Sequence, residues 1–242
     1  MLDMSTPAPR AQALILAAGR GERMRPLTDA TPKPLLAVHG RPLMQYPLDA
    51  LNAAGVSRVA TNTAWLGEQI EATFGDRLVY SHEGHDFGGA LETAGGIARA
   101  LPLLEDCFWV VAGDVYAPSF RFDPAELARF RASTALAHLW LVPNPPHNPK
   151  GDFGLSPQGL ALNGDGPGGQ RYTYSTIGLY RQALFASPWC DIPPGNPQGI
   201  KAALAPLLRR AMDNGLISAS LHTGPWTDVG TPERLAQLNQ TH

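Results

Sequence analysis

Charge of one sign is what this 242-residue chain most plainly lacks. Its 19 lysines and arginines face 21 acidic residues, a net charge of −2. No long basic run breaks that balance, so the electrostatic footprint of a general nucleic-acid binder is missing. Cysteine is scarce: Cys107 and Cys190 are the two in the chain, and neither belongs to a CxxC pair. That argues against a disulfide framework. Cys107 stands before an apolar run and reads as a buried small hydrophobe. Long apolar runs are missing too. AQALILAAG, after Arg10, is too short to span a bilayer and leads straight into a charged glycine motif. Residues 1–10 therefore read as a loose tail, and the expected location is the cytoplasm, with no membrane partner. The sequence shows no internal repeat, no low-complexity segment and no hexapeptide repeat of a β-helix.

What is present is an alternation. Short apolar runs at 11–18, 58–62, 78–81 and 108–112 are separated by helical patterns at 42–54, 65–74 and 93–104. Such a β-α-β-α-β-α-β series predicts an α/β fold with a mostly parallel sheet covered on both faces. Asp123 and Pro124 mark the start of a further helix, and 134–142 reads as a strand. The second half is less regular. Pro143 to Pro149 is proline-rich, 163–169 is a glycine-rich turn, and a helix is expected over 199–214. Strand 217–221 follows, then a last helix capped by Thr231 with Pro232 at its first position. The length fits one large domain.

Four segments carry chemistry. LILAAGRGERMRPLT, residues 14–28, runs from a strand into Gly19, Gly21, Arg23 and Arg25. Glycines admit a ligand close to the backbone, successive amides form an anion-binding concavity, and arginines fork onto phosphate oxygens. A dinucleotide fingerprint needs a third glycine where Met24 stands, and no GK[ST] follows to make a Walker loop. In TPKPLL, Lys33 lies between two prolines that stiffen its backbone, a frame suited to a fixed cationic contact with phosphate. Gly113-Asp114 follows FWVVA at the carboxyl end of a strand, facing the crevice where such sheets bind ligands. Asp228 lies in WTDVGTPERL. Asp114 and Asp228 are hard oxygen donors of the kind Mg²⁺ takes.

In this order and over roughly residues 11–240, the four segments resemble the sugar-1-phosphate nucleotidyltransferase family, which makes nucleoside-diphosphate sugars. The resemblance implies a single Rossmann-like domain, with a nucleotide-binding part over about 11–142 and a sugar-binding part over about 143–242. It implies a nucleoside triphosphate and a sugar 1-phosphate as substrates, with Mg²⁺ held by Asp114 and Asp228. Gly19, Gly21 and Arg23 are similar to the triphosphate loop, and Lys33 to the lysine that stabilises charge on the reacting phosphates. Ala17, Ala18, Gly113 and the Glu92-Thr93 region fall where the family holds the nucleotide. Asn62, Gly154 and Thr176 fall toward the sugar phosphate. NTAWLGEQI, ALETAGGI, GDFGL and YTYSTIGLY are most similar to the branch that uses UTP and a muramic sugar phosphate in cell-wall recycling. Mannose-1-phosphate guanylyltransferases and glucose-1-phosphate uridylyl- or thymidylyltransferases remain alternatives, as does a catalytically inactive sensor on the same fold. A monomer and a homodimer are both compatible.

The sequence departs from the family pattern at three places. Ala94 replaces a glycine, Thr176 stands where a small residue or asparagine is usual, and an E-K pair after GDFGL is missing, leaving Arg171 as the nearest substitute cation. The stretch from His82 to Asp86 matches no zinc signature. It reads as a polar loop, a lid from which Glu83 touches the base. Trp65 and Trp226 abut the motifs, and His138 and His222 read as satisfied core or edge histidines.

Overall fold

A computed structural model describes residues 10–240, so the tail expected over residues 1–10 lies almost wholly outside the described residues. Strand β1, Ala11–Leu16, lies in the interior of the sheet. Its alternate side chains enter different cores: Ala13 and Ile15 on one side, Leu14 on the other. Burial on both faces is why the strand reads as a continuous apolar run and not as an alternation. Six more strands join it: Val59–Thr63 (β2), Val79–His82 (β3), Leu104–Ala112 (β4), Ala137–Val142 (β5), Thr173–Arg181 (β6) and Ile217–Leu221 (β7).

The sheet order is β7-β5-β6-β4-β1-β2-β3. β1 runs parallel to β2 and β4, β2 to β3, and β5 to β7. β6 alone runs antiparallel, inserted between β4 and β5. The fold is thus the expected mixed, mostly parallel sheet. The chain leaves β1 for β2 and β3 on one side, then returns to β4 on the other. The crevice between the carboxyl ends of β1 and β4 is therefore a topological switch point, where open α/β sheets bind ligands.

The helices are Gln45–Ala53 (α1), Gly67–Phe74 (α2), Glu83–Phe87 (α3), Glu92–Ala100 (α4), Pro124–Ala132 (α5), Ala205–Asp213 (α6) and Pro232–Gln240 (α7), besides a single turn at Leu27–Ala30. α1, α2 and α5 bury Leu48, Phe74 and Phe130 on one face, against Ile15 and Trp109. α4 and α6 bury Ile97 and Leu208 on the other, against Leu14 and Phe108. Asp123 caps α5 by accepting from the Ala125 amide at 2.8 Å, as the sequence predicts.

Three segments differ from expectation. Pro42 belongs to a short extended pair, Ala37–Val38 with Arg41–Pro42, and α1 begins after it. The helix expected from residue 199 begins at Ala205, because 200–202 is tied as extended chain to the start of α4: the Ala94 and Gly95 amides both donate to the Ala202 carbonyl. The polar loop at 82–86 is the helical turn α3, pinned by an Asp86–Arg99 ion pair and by Glu83, which is fully buried.

Candidate active site

The main cleft, about 720 Å³, opens at the switch point and is lined from both halves of the chain. Ala17, Ala18, Gly19 and Gly21 form one edge. Gly21 has φ +68°, and a Cβ there would stand 3.0 Å from Thr28 Cγ2 and 3.3 Å from Lys33 Cβ. A side chain would therefore be strained and crowded at the point where the loop rests on Lys33. The Thr28 hydroxyl closes the turn by donating to the Gly21 carbonyl at 2.9 Å. Lys33 begins a 3₁₀ turn, Lys33–Leu35, set between prolines as the sequence indicates. Its ammonium pairs with the Asp114 carboxylate at the end of β4. The Gly113 amide donates to the Leu16 carbonyl at 2.8 Å, which fastens the ends of β4 and β1 side by side. Gly113 itself is not among the residues that line the cleft.

Asn62 and Glu83 build the inner wall of the cleft. Asn62 Oδ1 accepts from the Ala17 amide at 2.8 Å, which orients the side-chain amide. Asn62 Nδ2 must then face Glu83, and it donates to Oε1 at 2.6 Å. Glu83 Oε2 accepts from the Leu91 amide at 2.7 Å. Burial pushes the Glu83 carboxyl above its ordinary range, while the two donors and Arg99 pull it down. Glu83 thus holds the Ala17 loop to the segment that starts α4. Glu92 and Thr93, at that start, also line the cleft.

Phe153, Tyr174, Thr176, Leu204 and Arg209 form the wall contributed by the second half. Glu92 and Thr176 both line the cleft with φ near +60°, unusual outside glycine. Such backbone costs about 1–2 kcal/mol per residue and gathers at functional sites. The Thr176 hydroxyl is buried with no protein hydrogen-bond partner among the described residues. It sits at the register break of β6 against β5.

Of the site residues read from sequence, Ala17, Ala18, Gly19, Gly21, Lys33, Asn62, Glu83, Thr93, Asp114 and Thr176 line this cleft. Gly154 and Arg171 do not. Gly154 packs against the 164–166 turn, and Arg171 bonds the Asp152 carbonyl and Asp165. Asp228 faces a neighbouring cleft, its carboxylate held by Arg234 at 2.6 Å and His147 at 2.9 Å. The Val229 amide donates to the Asp114 carbonyl at 2.9 Å, so the two aspartate segments are stapled together. Arg23 is exposed near Arg234: its Nη2 lies 3.3 Å from where a Cβ on Gly230 would stand, beside the Arg234 guanidinium. Trp65 and Trp226 are structural, their indoles donating to Thr28 and Ser175 carbonyls. His138 is only half satisfied: it bonds Ser218 at 2.8 Å, but its Nε2, like that of His222, is buried without a partner among the described residues. Asp152 and Arg209 line the cleft without having stood out in the sequence.

Among the described residues no group of three or more histidine, cysteine or acidic side chains could hold a metal ion. The described residues alone therefore offer no closed cage. One or two carboxylates with substrate phosphates completing the shell is the habit of Mg²⁺. Asp114, paired with Lys33, and Asp228, paired with Arg234 and His147, are carboxylates of that kind, and each would exchange a cationic partner for the metal.

A glycine loop, a clamped lysine and a strand-end aspartate at the switch point define an α/β transferase acting at phosphate. Residues 12–160 match the Nucleotidyl transferase family, and the chain belongs to it. It is 47% identical over 238 residues to an N-acetylmuramate alpha-1-phosphate uridylyltransferase of Neisseria meningitidis serogroup B, covering 93% of this chain and 96% of that one. A protein of the same name from Caulobacter vibrioides is 30% identical over 91% of this chain and 92% of its own. Among solved structures, HddC of Yersinia pseudotuberculosis complexed with GMP-PN shares the fold with a TM-score of 0.70 at 18% identity, covering 95% and 98% of the two chains. The inositol-1-phosphate CTP transferase of T. maritima does so with 0.68 at 19%, covering 96% and 97%. No helix of the described residues is long and apolar enough to cross a membrane.

Proposed function

We propose that this protein condenses UTP with N-acetylmuramic acid α-1-phosphate, giving the UDP-sugar and pyrophosphate, in peptidoglycan recycling. The observation that carries the reading is near full-length identity of 47% to a uridylyltransferase of that substrate, together with the clamped Lys33 in the main cleft. The sugar phosphate is already an anion, so no base is needed to make the nucleophile. One of its oxygens bonds to the α-phosphorus of UTP as the bond from that phosphorus to the β-phosphate bridging oxygen breaks, and pyrophosphate leaves. The protein contributes position and charge. Lys33 holds positive charge beside the reacting phosphates, the Gly19–Gly21 backbone and Arg23 receive the triphosphate, and Glu92 and Thr93 face the base. Asp114 and Asp228 would hold Mg²⁺, which when bound supplies charge neutralisation at the phosphate oxygens. The first half of the chain serves the nucleotide and the second half the sugar.

The test is pyrophosphate release from UTP paired in turn with N-acetylmuramic acid, N-acetylglucosamine, glucose and mannose 1-phosphates, with Mg²⁺ and with a chelator. Release that is fastest with the muramic compound and abolished by chelation is expected. Nucleotide binding without release from any pair would replace the reading with a sensor.

A further inference from the structure

Two cationic side chains line the main cleft, Lys33 and Arg209. Lys33 is paired with Asp114, whereas Arg209 forms no ion pair among the described residues. Arg209 belongs to α6, on the wall built by the second half of the chain. Its guanidinium lies over the Phe153 ring, 5.3 Å from the centroid, and donates to Asn163 Oδ1 at 2.7 Å. Asn163 is held in turn by both carboxylate oxygens of Asp213, at 3.1 and 3.3 Å. The arginine is therefore positioned in advance, with fork donors left over, against an apolar wall of Phe153, Leu204 and Leu208.

A fixed guanidinium on the sugar wall, apart from the lysine that meets the phosphates, calls for a second anionic group on the sugar. Neutral hexose phosphates carry none. A muramic sugar carries one, the carboxylate of its lactyl ether, with a methyl group beside it for the apolar wall. We infer that Arg209 is the specificity-determining residue that binds the lactyl carboxylate, with Asn163 and Asp213 as its positioning residues. The inference rests on the substrate proposed above.

The experiment compares kcat/KM for N-acetylmuramic acid 1-phosphate with that for N-acetylglucosamine 1-phosphate, which lacks only the lactyl ether, in the wild type, Arg209→Gln and Arg209→Lys. The expected result is a ratio that falls about tenfold or more in Arg209→Gln, through KM for the muramic compound, and is partly restored in Arg209→Lys. A structural role, or a contact with the shared phosphate, would move both substrates together and leave the ratio unaltered. A wild type that prefers the muramic compound, with that preference kept in Arg209→Gln, overturns the role of Arg209 and leaves the substrate standing. A wild type without the preference overturns the substrate itself.

Discussion

At single residues, the proposed chemistry depends on few atoms. Lys33→Ala and Asp114→Ala should each lower turnover at least about 10²-fold, the scale for losing one aligned electrostatic stabiliser, with folding checked by thermal melting. Near-normal turnover in either would remove the role given to it. Thr176 offers a sharper contrast. Its buried hydroxyl lacks a partner among the described residues, so Thr176→Val should stabilise the free protein by about 1 kcal/mol, read from denaturant midpoints. If the hydroxyl serves the sugar phosphate, the same variant raises KM for it; an unstabilised variant with unaltered KM would contradict both statements. Glu83 carries a pH signature. Its folded-state pKa is raised, so the native protein holds this proton more tightly than the unfolded chain does. Its contribution to stability is then fully present below the ordinary carboxylate range, and it declines as pH rises through that range to the raised value. Above that value it levels off. Glu83→Leu should lose that slope in unfolding measurements as pH rises above the ordinary carboxylate range, and should cost about 1–3 kcal/mol for each donor left unpaired.

Elements were legible in the sequence where a local signal coincided with the fold. β1 was marked by its continuous apolar run, β7 by its own pattern and the start of α5 by its cap, and the glycine loop and Lys33 frame were readable as motifs. β6 was not, because its place between β4 and β5 is decided by pairing across the chain, and an antiparallel insertion leaves no local mark. α6 begins late because 200–202 is tied across to α4, a long-range bond no local pattern reveals. Arg209 is one of two adjacent arginines on an amphipathic helix, and nothing in that spacing separates a cleft residue from a solvated one. α4 supplies the prediction at this scale. Propensity alone says Gly96→Ala should stabilise the helix by about 1 kcal/mol. A Cβ there would stand 2.5 Å from Glu83 Oε1 and 2.9 Å from Asn62 Nδ2, displacing the pair that fixes the Ala17 loop. The variant should therefore be destabilised by about 1–3 kcal/mol and show a raised KM for UTP; a more stable variant with unaltered KM would show the approach is not tight.

The whole molecule is a sheet whose strand order reverses beside β1, with the cleft proposed for phosphate chemistry at the reversal and a second wall brought in by β6 and α6. Both aspartates proposed for Mg²⁺ already have cationic partners, Lys33 and Arg234. The fold does not need the metal to neutralise them. Chelation should abolish turnover and leave the unfolding midpoint nearly unchanged; a large loss of stability would point to a structural metal instead. The proposed reaction is tested most directly by offering the protein an equimolar mixture of UTP, dTTP, GTP and CTP with the four sugar 1-phosphates and identifying the product by mass. UDP-N-acetylmuramic acid as the dominant product is the predicted result. A dominant product with another base or another sugar would contradict it.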